Sequence, residues 1–446
     1  MISKLIECTE RAALCLSPER ARKLFAVALS EPMLRRMQAA RFRRTVRLAA
    51  ERSPFYREEF RRRGIDARAV RTPSDLGDFY TTGEDLRARG AEAFLTGRAD
   101  TAFETTGTTS PAPKRVFFSN RELAEVGRTS ALGLLQLGLT RADRVVSAFD
   151  SSFWVSPAVV REAFRHVGCF HVEAGKIDPA EFYERASAYR PTAIFGEPSW
   201  LVRLAEVAES RGAWPVKFLL AGGENLTEQA RRRVERAWRA PLYMNYGQTE
   251  SFGAMGVECK EQVGYHRNDL NYLFEIDGAD GGGNGELIYT TLSRDVMPLL
   301  RYRSTDITRL IDEPCGCGLR VGRIAKIRAR ADEMVVCGMG NVGPWVFAEL
   351  LREAPGAGSE WQAVVKNDGR CDVIELRVEM EDASAQLAAE TAVLDNLRRN
   401  FADFWKNREM RLYELRLVAC PPNTLRSARK LKRVVDERQM LLRRVV

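Results

Sequence analysis

The chain has 446 residues, 45% hydrophobic and 29% charged, with 69 Lys and Arg against 60 Asp and Glu, for a formal net charge of +9. That length predicts at least two domains, and the balanced composition excludes a disordered or low-complexity chain. No stretch approaches the ~20 uninterrupted apolar residues of a membrane-spanning helix, and the nine cysteines are scattered, unlike those of a small secreted scaffold, so a soluble, cytoplasmic protein without a signal peptide is expected.

Up to about Asp85 the chain reads as helices, broken at Pro54, Gly64 and Pro73, with Thr72 to Leu76 as a capped helix start. The basic stretch from Arg35 to Arg63 raises nucleic-acid binding. Glu51, Glu58 and Glu59 interrupt it, however, and no nucleic-acid motif accompanies it, so it reads as a solvated helical face. From Arg144, short apolar runs (RVVSAF, TAIFG, VKFLLAGG, LYMNYG) alternate with amphipathic segments at Pro157 to Val167, Pro198 to Glu209 and Thr227 to Trp238. That alternation predicts an α/β domain with a largely parallel sheet. A turn at Gly278 to Gly285 leads into GELIYTTL, which alternates like a strand of a second, more antiparallel sheet. Asp372 to Glu379 reads as a strand, Ala383 to Asn400 as a helix and Met410 to Ala419 as a strand, together a small α+β module of lid size. The expected division is 1–328, with 1–85 as a helical entry subdomain, and 329–446.

The stretch TTGTTSPAPK, Thr105 to Lys114, combines hydroxyls, small residues and a cation, a composition that lets backbone N–H groups and threonines approach phosphate oxygens. It lacks the Gly-Lys-Ser/Thr ending of the common nucleoside-triphosphate loop, and alone it is equally a turn. A separate set, Cys259, His266, Cys315 and Cys317, supplies three thiols and an imidazole, the donors of a closed structural zinc site. Its spacing is not that of a standard finger, and unliganded cysteines are the competing reading.

TTGTTSPAPK resembles the TSGTTGxPK phosphate loop of the acyl-adenylate-forming superfamily. AGGENL (Ala221 to Leu226), NYGQTE (Asn245 to Glu250), LLRYRSTDITRL (Leu299 to Leu310) and RVGRIAKIRARADEM are similar to that family's adenine turn, YGxTE motif, Y-R-(T/S)-x-D segment and hinge. RRTVRLAAERSPFYREEFRRRGI and LRSARKLKRVVDER resemble the entry helices and terminal motif of its phenylacetate-CoA ligase branch.

The resemblance implies a large AMP-binding domain of mixed sheets flanked by helices, plus a small lid domain. It also implies ATP-dependent activation of an organic, aromatic carboxylic acid and transfer of the acyl group to coenzyme A. Thr105, Thr106, Gly107, Thr108, Thr109 and Lys114 would hold phosphate, and Gly222, Gly223, Glu224, Tyr246 and Gly247 would border the adenine. Asp306 would accept the ribose hydroxyls, with Arg323 and Arg330 completing the nucleotide site. Glu250 would bind Mg2+, with Thr249 beside it in the catalytic set. Lys430, with Lys432 as its rival, would be the mobile catalytic cation, and Asp332 the hinge. Relatives in this branch carry a similar Cys, His and Cys-x-Cys set, which favours structural zinc.

Ser110 and Ala112 depart from the phosphate-loop pattern, Arg429 replaces a glycine before Lys430, and Gly338 stands where the family has an arginine. Rival readings are transfer to an amine, a carrier protein or a reductase partner, and a nucleotide-binding pseudoenzyme. Pocket candidates are Phe149 to Trp154, Phe195 to Trp200 and Phe252. The expected partners are a small-molecule acid and, as assembly, a homodimer, with no nucleic acid or membrane.

Overall fold

The computed structural model describes residues 2–438 apart from Pro18, Arg22, 25–30, 106–112, Asn225, Thr227, Asp280, Arg328, 331–334, 358–359, Asn423 and 426–432. A nine-stranded sheet forms its centre. Phe170–Glu173, Arg144–Ser147, Ala193–Gly196, Phe218–Ala221 and Leu242–Gln248 lie side by side in parallel. Ala193–Gly196 and Phe218–Ala221 are buried at every position, the run expected of strands covered on both faces. The helices Val155–Val167, Pro198–Arg211 and Glu228–Trp238 fall between these strands in the chain. Beyond Leu242–Gln248 the sheet turns antiparallel through Gly253–Val257, Tyr265–Arg267, Arg323–Ile324 and Leu310–Ile311.

The second, antiparallel sheet runs Tyr272–Asp277, Gly285–Thr291, Tyr302–Thr308, Ala329–Arg330. Buried side chains on Tyr302–Thr308 recur at every second residue, so Tyr302, Ser304, Asp306 and Thr308 share one face. The entry helices Glu31–Arg52 and Pro54–Arg63 are tied to this sheet rather than standing apart. Ser53 caps the second of them, with Pro54 at its first turn and Gly64 in the left-handed region at its end. The buried Tyr56 hydroxyl lies 3.0 Å from Thr81 Oγ1 and accepts the Leu300 N–H at 3.0 Å. Part of the basic stretch is structural: Arg44 pairs with Asp295 at 2.6 Å and Arg41 donates to the Leu270 carbonyl at 2.5 Å.

A separate apolar core gathers Val335 to Val434 around a four-stranded sheet of Trp361–Asn367, Asp372–Glu379, Tyr413–Cys420 and Val434–Asp436. The expected helix from Ala383 begins as a 3-10 turn, Ala383–Ala385, before Gln386–Asn400. Met410 and Leu412, expected as strand, instead precede Tyr413–Cys420 and pack with the large core. Gly338 is enforced by packing, because a Cβ there would lie 2.0 Å from the Leu412 carbonyl oxygen.

Candidate active site

A cavity of about 1670 Å3 opens at the carboxyl ends of the parallel strands, the place where open α/β sheets bind ligands. Its lining brings together Thr105, Lys114, Gly222, Gly223, Glu224, Tyr246, Gly247, Thr249, Glu250 and Asp306, which the sequence scatters over two hundred positions.

Glu250 lies just beyond Leu242–Gln248 and is buried. Its Oε1 accepts the Tyr302 hydroxyl at 2.9 Å and pairs with the Lys114 ammonium, which itself stands 3.4 Å from that hydroxyl. Burial works to raise the Glu250 pKa, but the charge and hydrogen bond of Lys114, with further hydrogen bonds including that from Tyr302, together hold the carboxyl below its ordinary value. Four residues along the same strand as Tyr302, Asp306 Oδ2 accepts the Tyr246 hydroxyl at 2.6 Å and the Gln248 amide at 2.8 Å. Tyr246 is in turn tilted against Tyr265 at 5.7 Å between ring centres. Gly247 is demanded by close approach, since a Cβ would sit 2.3 Å from the Gly253 carbonyl oxygen. Tyr302 and Gln248 were not singled out from the sequence, although they stand inside the same YRSTD and YGQTE strings as Asp306 and Glu250.

On another wall Gly223, at φ +94°, runs under the Trp154 ring. Glu224 next to it accepts the Ser199 N–H at 3.0 Å. Burial pushes its carboxyl up to about 7, Glu197 adding to the effect and Lys176 opposing it. The buried Lys176 ammonium is bound to Glu197. Burial works to lower the lysine pKa, but the two glutamates hold it up.

Arg323, expected at the nucleotide, spends its guanidinium on the Val263 and Glu313 carbonyls at 3.0 and 3.1 Å, beside the Cys/His set. Arg330 pairs through its backbone with Asp306. Its side chain, like Thr106, Gly107, Thr108, Thr109, Ser110, Ala112, Asp332, Arg429, Lys430 and Lys432, lies outside the described residues. Phe149, Trp154 and Phe195 line the cavity. Trp200 and Phe252 are core residues instead, Trp200 being edge-on to Phe182 and Phe252 stacked on Phe118.

Cys259, His266, Cys315 and Cys317 converge, all buried, with one donor atom from each within 4.8 Å of the others. Cys259 and Cys315 sulfurs are 3.7 Å apart, and Cys317 Sγ is 3.3 Å from His266 Nε2. His266 Nδ1 faces the Val321 carbonyl at 3.2 Å, which as N–H donor would leave Nε2 as the electron pair turned toward the sulfurs.

The sequence profile of the AMP-binding enzyme family matches residues 103–271, and that of the AMP-binding enzyme C-terminal domain matches residues 340–438. The chain belongs to the AMP-binding enzymes, on the branch of AMP-forming acid–thiol ligases that includes the phenylacetate-CoA ligases. It is 28% identical over 370 residues to the phenylacetate-coenzyme A ligase of Thermus thermophilus, covering 79% of this chain and 83% of that protein. It is 26% identical over 440 residues to that of Pseudomonas putida, covering 92% and 97%. Among solved structures, 2-hydroxyisobutyryl-CoA ligase in complex with 2-HIB-AMP and CoA, in the thioesterification state, superposes over 94% of this chain and 93% of that one. The TM-score is 0.78 at 22% identity. The same ligase in its postadenylation state gives a TM-score of 0.64.

Proposed function

We propose that this protein activates an aromatic carboxylic acid as its acyl-adenylate and transfers the acyl group to coenzyme A. The observation carrying the reading is that the strand Tyr302–Thr308 serves two carboxylates in one cavity, Glu250 through Tyr302 and its own Asp306. Tyr302 and Asp306 stand four residues apart on this strand, which is bulged at Thr305, so it keeps a ribose acceptor and a phosphate-side carboxylate apart along one nucleotide. Tyr246 and Gln248 orient Asp306 for the ribose hydroxyls, while Gly222 and Gly223 let the backbone border the adenine. Lys114 stands at the phosphate end. Phe149, Trp154 and Phe195 offer flat apolar surface to the acid.

In the first step the substrate carboxylate oxygen bonds to the α-phosphorus of ATP, the bond to the bridging oxygen breaks, and pyrophosphate leaves. In the second the thiol sulfur bonds to the acyl carbon, AMP departs with the carboxyl oxygen, and the thiol proton goes to solvent. Lys430 offsets the charge shifting onto the α-phosphate. The large domain, 1–328, holds the nucleotide, and the lid, 329–446, moves between the steps. Mg2+ suits Glu250, an ionised hard oxygen donor whose described contacts both fall on Oε1, and would supply charge neutralisation on ATP.

Zinc suits Cys259, His266, Cys315 and Cys317. Tetrahedral coordination with ordinary bond lengths puts two thiolates about 3.8 Å apart and a thiolate and imidazole nitrogen about 3.5 Å apart, near the 3.7 and 3.3 Å seen. The role is structural, fixing the lobe that carries Tyr265 against Tyr246. Purified protein is expected to hold one zinc per chain by elemental analysis, and the Cys315→Ala/Cys317→Ala double variant to lose it and melt several degrees lower. A metal-free wild type of unchanged melting temperature refutes the assignment.

The function is tested by AMP release over a panel of aryl and alkyl acids, with and without coenzyme A. Aryl acids are expected to give coenzyme-A-dependent AMP release, and Lys430→Ala to cut pyrophosphate exchange at least a hundredfold with ATP affinity nearly intact. Full exchange in that variant, or AMP release indifferent to coenzyme A, overturns the respective step.

A further inference from the structure

The loop joining Gly285–Thr291 to Tyr302–Thr308 carries a buried cation outside the catalytic set, Arg294, only 2% exposed. Its guanidinium is divided between two backbone carbonyls from distant parts of the chain. Nη1 donates to the Glu250 carbonyl at 3.1 Å and Nη2 to the Phe117 carbonyl at 2.9 Å. Glu122 is the carboxylate whose charge bears on it most, yet Glu122 is spent on backbone. Its Oε1 accepts the Asp295 and Val296 N–H groups at 2.7 and 3.0 Å, and its Oε2 the Ser119 N–H at 2.7 Å. Among the described residues Arg294 forms no ion pair, and its Nε has no partner. A cation buried without a carboxylate is costly, so the position asks what the guanidinium is kept for.

The two carbonyls it holds back the phosphate end of the cavity. Phe117 lies in the strand Arg115–Phe118, which begins one residue after Lys114, and Glu250 is the partner of Lys114. One guanidinium therefore fastens the backbones behind both members of that ion pair. The rest of the loop tightens the grip. The Phe117 N–H donates to Met297 Sδ at 3.4 Å, and Asp295 pairs with Arg44 of the entry helix at 2.6 Å.

The turn that carries Glu250 needs such a hold. Phe252, two residues on, sits at φ +65°, a conformation that an aromatic residue keeps only where its surroundings impose it. Its ring is stacked on Phe118, and the guanidinium carbon of Arg294 lies 4.1 Å from the Phe118 ring centre and 5.5 Å from that of Phe252. A planar fork meets two carbonyls and an aromatic face at once, whereas the compact ammonium of a lysine is a point donor.

Resting on Glu250 as the Mg2+ carboxylate, we infer that Arg294 is a positioning residue for the adenylation step. It fixes the turn bearing Glu250 against the strand that follows Lys114, and so sets where the Glu250 carboxylate stands relative to the nucleotide phosphates. Its bonds are all to backbone, so it acts through Glu250 rather than on the reacting atoms.

The test is pyrophosphate exchange at varied Mg2+ by Arg294→Ala and Arg294→Lys in the full-length protein. Arg294→Ala is expected to lower kcat at least tenfold and to raise the Mg2+ concentration for half-maximal exchange fivefold or more, with the KM for the acid within twofold of wild type. Guanidinium chloride at a low, non-denaturing concentration should restore the rate several-fold by entering the space the side chain leaves, while sodium chloride at the same concentration should not. A loss that guanidinium leaves as it is overturns the inference. So does a Mg2+ midpoint that Glu250→Gln moves and Arg294→Ala does not. Arg294→Lys keeps the charge and most of the volume, and decides the matter if the alanine variant fails to fold. A lowered kcat with the acid KM intact is expected there, and wild-type exchange overturns the inference.

The Glu250→Gln background keeps the positioning role and the metal reading distinguishable. If Arg294 acts through Glu250, adding Arg294→Ala to Glu250→Gln should cost less than threefold more, whatever Glu250 itself binds. A further tenfold loss overturns the positioning role. A Mg2+ midpoint that Glu250→Gln leaves in place, with the two variants still non-additive, supports the positioning role and counts against the metal reading alone.

Discussion

Two buried lysine–glutamate clusters face the same cavity and titrate in opposite directions. At Glu250 one lysine serves one carboxylate, with Tyr302 donating as well, and the carboxyl is held below its ordinary value. At Glu224 one lysine, Lys176, is shared with Glu197, to which it is bound, and the carboxyl is pushed up to about 7. Burial is severe in both places, so it does not decide the sign. The number of cations per carboxylate does. The two environments part the carboxyls: Glu250 is held below its ordinary value, while Glu224 is pushed up to about 7.

The largest effect should come from removing the cation of the balanced cluster. Lys114→Met leaves Glu250 buried without its partner, which costs about 3 kcal/mol or more, and urea unfolding at pH 7 should show it. The pH dependence should change sign as well. With Lys114 present, the depressed pKa contributes stability above the unfolded value of 4.5, lost as pH falls through the folded value. Without it, burial alone raises the pKa and stability declines as pH rises. A variant with wild-type stability at pH 7 would dissolve the contrast between the clusters.

The opposite cluster predicts a gain. Glu224 has a folded pKa above its unfolded value of 4.5, so its contribution is fully present below pH 4.5 and lost as pH rises through about 7. Glu224→Gln should flatten that part of the stability curve and stabilise the protein at pH 8 by about 3 kcal/mol. Melting temperatures across pH 4.5 to 8 check it. Parallel curves for variant and wild type would mean that Lys176 already neutralises both glutamates.

The two clusters were unequally legible in the sequence. Glu250, Tyr246 and Asp306 lie in short strings whose order is distinctive, and the parallel strands announced themselves as apolar runs between amphipathic helices. Tyr302 and Gln248 escaped notice because their work is to hold other residues, and nothing local distinguishes such a tyrosine from one in the core. Glu224 stands in the AGGENL string, but its partners Lys176 and Glu197 come from two other loops and meet it only through the sheet, so no spacing betrays the cluster. Aromatic character was equally uninformative: Phe195 lines the cavity while Trp200, five residues on, is core. Gly338 looked like a lost functional arginine, yet the Leu412 carbonyl leaves no room for any side chain there.

A third pair sharpens the comparison, because it is neither deeply buried nor confined to one core. Lys406, on the helix Ala402–Glu409 of the carboxyl-terminal part, reaches Asp150 at 3.1 Å. Asp150 in turn holds the Ser152 N–H and hydroxyl at 2.9 and 2.8 Å, two residues before Trp154 of the cavity wall. Burial works to raise the Asp150 pKa, but its bonds from Ser152 and Lys406 hold the carboxyl below its ordinary value. The lysine is 42% exposed, so the pair is worth no more than about 0.5 kcal/mol, and Lys406→Ala should leave the melting temperature almost unchanged. Its effect should appear in the balance of the two half-reactions. On the proposed two-step function, the contact belongs to the position in which the carboxyl-terminal part meets the 150–154 loop. Weakening it by about 0.5 kcal/mol shifts such a two-state balance roughly twofold. Single-turnover thioester formation from preformed acyl-adenylate should therefore slow by about that factor, with pyrophosphate exchange unchanged or slightly faster and Asp150→Asn behaving alike. Equal slowing of both half-reactions would make the pair an ordinary surface contact, with no preference between the lid's two positions.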